Sequence, residues 1–438
     1  MPLLLHERFH RLHPRDRKPD QRREAQRDRD RVLYTSALRR LGHVTQVVSP
    51  TEGIVFHNRL THTHEVAQIG RRIAERLTTD EEGLRNAQRL GGIDPDVVET
   101  AALVHDLGHP PYGHAVEQEL NYLVSIKHAV HDGYEGNAQS FRIVTKLAMR
   151  HRRFPGLNLT RASLNASLKY PWFRARENED ERKHKKWGAY ETEEREFEWV
   201  RKIHHGGRPD TRCVEAEIMD WSDDVAYAVH DVDDFYRAGL IPLDRLRNQA
   251  DFEVDRFCRY AAPRLDRNTD EVNELLRSVV AASPIIEPYI GTDEQRQQLR
   301  TFTAELISKY VTAVDIANDQ GEYPLLKIPP YLRAQVDVLK ELTWFYVIDN
   351  RSIKTQQHGQ RTVVKNLFKI YLDAGVSEDA DVRGILPESQ KEQLRRAETK
   401  EEQVRIVADL ISSMTEQQLM MTHRKLTGIE LGSITDLI

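Results

Sequence analysis

Val97-Val98-Glu99-Thr100-Ala101-Ala102-Leu103-Val104-His105-Asp106-Leu107-Gly108-His109-Pro110-Pro111-Tyr112-Gly113-His114 decides how the rest of the chain is read. Val97, Val98, Ala101, Ala102 and Val104 keep a helical period, and Gly108 with Pro110-Pro111 interrupts it. A His-Asp pair therefore stands at the end of an apolar helix, with His109 and His114 close behind. Imidazole nitrogens and carboxylate oxygens together suit a first-row divalent ion. A His-Asp dipeptide alone is a weak sign, so its flanks matter.

Upstream, His62 stands at the start of a second helix. Its apolar stripe is Val66, Ile69, Ile73 and Leu77, with Arg71, Arg72 and Glu75 mostly off it. Downstream, a helix from about Val214 to Tyr236 places Ile218, Trp221, Val225, Val229 and Val232 on one face. Asp223, Tyr227 and Asp231, four apart, run along the opposite face, with Asp220, Asp224 and Asp234 beside them. A solvated acidic stripe would also read this way. Tyr227 in its middle and the lack of basic partners four residues on count against that. Spacing ranks Asp220 and Asp223 equally as ligands. Two histidines and two aspartates would leave positions open for water and substrate; a lone histidine, by contrast, more often caps a helix or makes a buried hydrogen bond.

The remaining sequence sets the frame. With 438 residues, 39% apolar and 30% charged, the chain has room for a large core and two sub-domains. A formal net charge of -5 gives no global attraction to nucleic acid, so any anion site must be local. Cys213 and Cys258 are the only cysteines, too few for a disulfide framework or a thiolate zinc cluster. No apolar run approaches the ~20 residues needed to span a bilayer, and the opening Met1-Pro2-Leu3-Leu4-Leu5 is too short for a signal peptide. The expectation is a cytoplasmic protein with no membrane partner. Many of the 19 histidines crowd between His57 and His131.

The expected class is mainly α. Residues 1–40 form an Arg-rich arm or helix, in which Arg27-Asp28-Arg29-Asp30-Arg31 mixes signs as a packed polar helix does. Residues 41–240 form the core, with a small β-hairpin over Val44–Phe56 and a charged excursion over 174–212. Residues 241–438 are a helical C-terminal region packing on that core, carrying stripes such as Phe302, Leu306, Tyr310 and Val363, Val364, Leu367, Phe368. It offers a candidate oligomer or effector interface. Ser377 to Glu402 is expected as a peripheral helix pair or loop.

Taken together, these blocks resemble the deoxyguanosine triphosphate triphosphohydrolases and related HD-domain dNTP hydrolases. The similarity runs through Leu38-Arg39-Arg40-Leu41, Thr45-Gln46-Val47, Asn58-Arg59-Leu60-Thr61-His62 and the His105–His114 run. It continues through Gly133-Tyr134-Glu135-Gly136-Asn137, Leu157-Asn158-Leu159-Thr160, Lys169-Tyr170-Pro171-Trp172 and Asp223-Asp224-Val225-Ala226-Tyr227. The order holds over roughly residues 7–240; Ser412-Ser413-Met414-Thr415 resembles the family's late helix more loosely.

The resemblance implies an HD-domain helical core and a metal set of His62, His105, Asp106 and Asp223. It assigns catalysis to His114 with Glu117. Substrate contacts fall on Gln46, Arg59, His109, Asn137, Lys169, Tyr170, Lys186, Tyr227 and Asp231. It also implies a divalent ion (manganese first, with magnesium, iron, cobalt or nickel as alternatives), a dNTP substrate, a nucleotide effector and a homo-oligomer. Other HD phosphohydrolases, such as 5′-deoxynucleotidases and alarmone hydrolases, share the metal set and remain alternatives. A protein that binds nucleic acid, with single-stranded DNA as its partner, is a further one, motivated by the arginines of 8–40.

Overall fold

The structure, a computed structural model, describes residues 2–14, 20–47, 56–202, 209–248, 251–281, 283–319 and 321–430. Local capping chemistry starts its central helices. Helix α1 (Glu24–Leu33) is followed by α2 (Arg59–Leu77), which begins where Asn58 and Thr61 exchange hydrogen bonds of 3.0 Å, side chain to backbone in both directions. Helix α3 (Pro95–Val104) begins where Asp94 accepts from the Asp96 N–H, with Pro95 at the first position. Val97, Val98, Ala101, Ala102 and Val104 are fully buried, which makes α3 the middle of a helix stack rather than a surface helix.

Past the His-Asp turn come α4 (His114–Asn121) and α5 (Gly136–Arg142), each running into a π-helical turn, at Tyr122–Lys127 and Ile143–Leu147. Helix α6 (Val214–Arg237) packs against α2, α3 and α7 (Pro330–Thr343). Its Ile218, Trp221, Val225, Val229 and Val232 are buried as the period required. Asp231, Asp233 and Asp234 on its acidic side are buried too, so that side does not face solvent. Helices α8 (Arg351–Val376), α9 (Lys400–Ser413) and α10 (Glu416–Leu426) follow.

Two hydrophobic cores result. The larger gathers α1, α2, α3 and α6 with C-terminal residues as far as Val347. The smaller joins Val116, Leu120 and Leu123 to Val364, Leu367, Phe368 and Tyr371 of α8, Val407 and Ile411 of α9, and Leu419 of α10. Truncating Phe368 to alanine there would cost about 3–5 kcal/mol. The helix that begins at His114 thus belongs to a different core from the helices carrying His62 and Asp223.

The one strand pair among the described residues is β1 (Asp315–Ile316) antiparallel to β2 (Leu326–Lys327). The hairpin expected over Val44–Phe56 has its middle, residues 48–55, outside the described residues; its flanks are joined by an antiparallel bridge between Thr45 and Asn58. Over 174–212, residues 203–208 lie outside them as well; the rest holds short helices and the buried Trp187 and Tyr190.

Among the described residues of the N-terminal segment, Arg11, Arg22, Arg23, Arg29 and Arg31 are committed within the protein. Arg23 pairs with Asp94 at 3.1 Å and with Asp96, and Arg29 with Asp96 and Glu99 at 3.4 Å. Arg22 holds Asp30 at 2.7 Å, Arg11 holds Glu24 and Asp28, and Arg31 donates to the Leu157 carbonyl at 2.9 Å. Partly exposed pairs of this kind add little stability, but they occupy the charge that a phosphate backbone would need. No helix of the described residues is long and apolar enough to cross a membrane.

Candidate functional site

The first turn of α2, the end of α3 and the middle of α6 bring His62, His105 and Asp223 together. His62 Nε2 lies 3.1 Å from Asp223 Oδ1, and His105 Nε2 lies 3.6 Å from the same oxygen and 3.5 Å from Asp106 Oδ1. Side chains sharing an ion at about 2.1 Å stand roughly 3–3.5 Å apart, so this spacing fits ligands around a common centre. His105 Nδ1 bonds the Ala102 carbonyl at 2.6 Å, which fixes the tautomer and leaves the lone pair on Nε2. That Nε2 is buried with no hydrogen-bond partner. An orphaned imidazole nitrogen beside two carboxylates is the donor set a divalent ion satisfies, and His62, His105, Asp106 and Asp223 could hold one.

Both carboxylates also carry a cation. Asp106 Oδ2 accepts from Arg59 at 2.9 Å, and Asp223 Oδ2 from Lys169 at 2.8 Å. Burial would raise both carboxyls, but Arg59 beside Asp106 and Lys169 beside Asp223 outweigh it and hold both well below the usual range. His109 Nδ1 lies 2.9 Å from Asp106 Oδ1; burial and the neighbouring Arg59 push this imidazole down to about 4, so it is neutral near pH 7. The tie between Asp220 and Asp223 is broken by tertiary contacts. Asp220 binds Arg212 and, at 3.0 Å, Lys169, and stays outside the histidine cluster.

The turn after Asp106 is pinned from several sides. Buried Arg40 donates to the carbonyls of Leu107 (2.9 Å) and His109 (2.8 Å), and Tyr134 Oη donates to that of Gly108 at 2.7 Å. Ser140 Oγ accepts from the Gly108 N–H at 2.8 Å and donates to the His105 carbonyl at 3.0 Å. Tyr112 (φ 63) and Gly113 (φ 58) then turn left-handed into α4. A Cβ at Gly113 would fall 2.7 Å from Arg59 Nη2, so glycine is what lets Arg59 pass.

Beside His109, with ring centroids 5.3 Å apart, α4 presents His114. Its Nδ1 is 2.6 Å from Glu117 Oε2, and the ring is two-thirds exposed while Glu117 is buried. Glu117 Oε1 accepts from the Gly136 N–H at 3.1 Å and from Lys186 at 3.2 Å. Burial raises the Glu117 carboxyl, but the hydrogen bond and charge of His114, with Lys186, bring it well below its usual range. Lys186 also holds Glu135 at 2.9 Å, and Glu135 in turn accepts from the Asn137 side chain at 2.9 Å.

A cavity of about 440 Å³ is lined by both groups. All the candidate site residues of the sequence line it except His62, Glu117 and Asp231, which stand behind His105, His114 and Tyr227. Gln46 Oε1 is buried there without a partner. Burial with the nearby Asp234 raises the Asp231 carboxyl well above its usual range. Sequence reading missed Arg40, Ser140, Lys340, Trp344, Ile353, Gln357 and Arg361. For the last three the signal was present, since a four-residue spacing puts them on one face of α8.

A second histidine-carboxylate cluster joins the same helices. His57 Nδ1 lies 2.8 Å from Asp234 Oδ2 and its Nε2 2.9 Å from Glu65 Oε1. His230 Nδ1 stands 2.7 Å from Glu65 Oε2, and the two rings stack at 5.1 Å.

Known proteins resemble the chain over nearly its whole length. Residues 59–166 match the HD domain and residues 326–425 the phosphohydrolase-associated domain. A deoxyguanosinetriphosphate triphosphohydrolase-like protein of Corynebacterium efficiens is 36% identical over 429 residues, covering 94% of this chain and 92% of its own. Proteins of the same description from Streptomyces coelicolor (35%) and Vibrio vulnificus (28%) each cover 94% of both chains. With a relative at this identity spanning nearly its whole length, the chain belongs to the deoxyguanosinetriphosphate triphosphohydrolase-like family of HD-domain phosphohydrolases.

Proposed function

We propose that the protein hydrolyses deoxynucleoside triphosphates, dGTP foremost, to deoxynucleoside and inorganic triphosphate. One observation carries this reading: a single cavity is lined by His105, Asp106 and Asp223, by His114 with Glu117 behind it, and by Arg59, Lys169 and Lys186. A substrate with four negative charges needs those cations.

When bound by His62, His105, Asp106 and Asp223, a divalent ion supplies Lewis-acid polarisation of the α-phosphate and acidifies an attacking water. Manganese is the first ion to try, since a mixed imidazole and carboxylate set accepts several first-row metals. The departing 5′-oxygen is a poor leaving group and must gain a proton. His114 delivers it, with Glu117 fixing the tautomer from Nδ1 and stabilising the charged ring. Tyr227, standing one turn beyond Asp223, meets the sugar where a ribose would carry its 2′-hydroxyl.

The test is product analysis of the metal-loaded protein with each of the four dNTPs, singly and mixed. Deoxynucleoside with intact triphosphate is expected. Release of orthophosphate or pyrophosphate instead would move the protein to another HD branch. Turnover only in mixtures would locate an effector site, and the same samples in analytical ultracentrifugation would show whether the enzyme works as a homo-oligomer.

A further inference from the structure

Ile353, Gln357 and Arg361 line the cavity from one face of α8. Arg361 is fastened to α4 just past His114. Its Nε donates to the Ala115 carbonyl at 3.3 Å and its Nη2 to Gln118 Oε1 at 3.0 Å. Both partners are neutral.

Every other lysine or arginine lining the cavity is held by a carboxylate. Arg59 has Asp106 at 2.9 Å, Lys169 has Asp223 at 2.8 Å, Lys186 has Glu135 at 2.9 Å and Lys340 has Asp224 at 2.8 Å. Among the described residues no carboxylate stands within ion-pair distance of Arg361. An anion entering the cavity must therefore share four of its cations with existing acids, while the fifth keeps its full charge. The two neutral hydrogen bonds orient that guanidinium without neutralising it, which is the state a planar fork needs to receive phosphate oxygens.

We infer that Arg361 binds the triphosphate group of the substrate and of the inorganic product. This rests on reading the cavity as a nucleoside triphosphate site. The assignment gives the phosphohydrolase-associated segment, which contains Arg361, a direct contact with substrate.

The test compares the full-length wild type with Arg361→Gln, by calorimetric binding of inorganic tripolyphosphate and by KM for whichever dNTP is turned over. Binding about ten- to a hundredfold weaker is expected, with a parallel rise in KM and an unchanged melting temperature. Arg361→Lys should recover part of the affinity. Lys365→Gln, on the same helix but turned to Glu119 at 3.4 Å, should recapitulate wild type. Equal tripolyphosphate affinity in wild type and Arg361→Gln overturns the inference, even where dNTP turnover is normal. A wild type that turns over no dNTP yet loses tripolyphosphate binding in Arg361→Gln would overturn the proposed activity and uphold the anion contact.

Discussion

Helices α2 and α6 carry two clusters built from the same residue types, and the two differ in how their protons are used. In one, His62, His105 and Asp223 keep separations of 3.1 and 3.6 Å, and His105 Nε2 has no hydrogen to give and none to accept. In the other, His57 reaches a carboxylate from each nitrogen at 2.8 and 2.9 Å, the distance of a hydrogen bond rather than of two ligands around an ion. Burial alone would lower the His57 pKa, but its bonds to Asp234 and Glu65 win and raise it to about 10. Residue type does not separate a candidate metal centre from a charge network. What separates His105 from His57 is spacing and a ring nitrogen left unbonded.

The hardest test of that contrast is metal content. His105→Ala and Asp223→Ala should lose bound ion by elemental analysis, and turnover should fall to background. His57→Ala and His230→Ala should retain the ion of the wild type. Loss of metal in the His57 variant would erase the distinction. Next in size is His114: His114→Ala should lower kcat by about 10²–10⁴ while retaining metal, because it removes proton transfer and no ligand. A His114 variant with wild-type kcat would remove it from the mechanism. Between the clusters on α6 stands Tyr227. Tyr227→Ala should reduce the preference for dGTP over GTP roughly tenfold or more, read as the ratio of kcat/KM values. An unchanged ratio with unchanged turnover would show that the ring does not face the sugar.

The helical class and the α6 period were legible in the sequence because both depend on local spacing. The apolar face of Ile218, Trp221, Val225, Val229 and Val232 is buried where the period put it. The acidic face was read correctly as unusual, but its partners were invisible. No base stands four residues on, since Lys169, Arg212, Arg333, Lys340 and His57 arrive from other elements. The same limit explains the tie between Asp220 and Asp223. Only the packing of α2 and α3 against α6 turns one toward the histidines and the other toward Arg212. His57 was counted among the crowded histidines without a role, because Glu65 and Asp234 become its neighbours only on folding. Arg40 was hidden in an arginine-rich stretch, with nothing local to mark it as the clamp on the Leu107 and His109 carbonyls.

The smallest effect expected is on stability, and its sign follows from the shifts in the second cluster. His57 moves up from 6.5 to about 10, so its contribution is complete below about 6.5 and is lost as pH rises through 10. Glu65 moves down from 4.5 to about 2, since His230 and His57 outweigh its burial; its contribution is complete above about 4.5 and is lost as pH falls through 2. Both are therefore fully present between about 4.5 and 6.5. Subtracting the melting temperature of His57→Gln from that of wild type cancels the titrations the two proteins share. The difference should peak in that window, equivalent to roughly 1–3 kcal/mol of stabilisation, and shrink steadily toward pH 10. A difference that is flat from pH 5 to 10 would mean that His57 is neutral between its two carboxylates. That ring would then have a spare lone pair, as His105 has, and the contrast between the two histidines would reduce to distance alone.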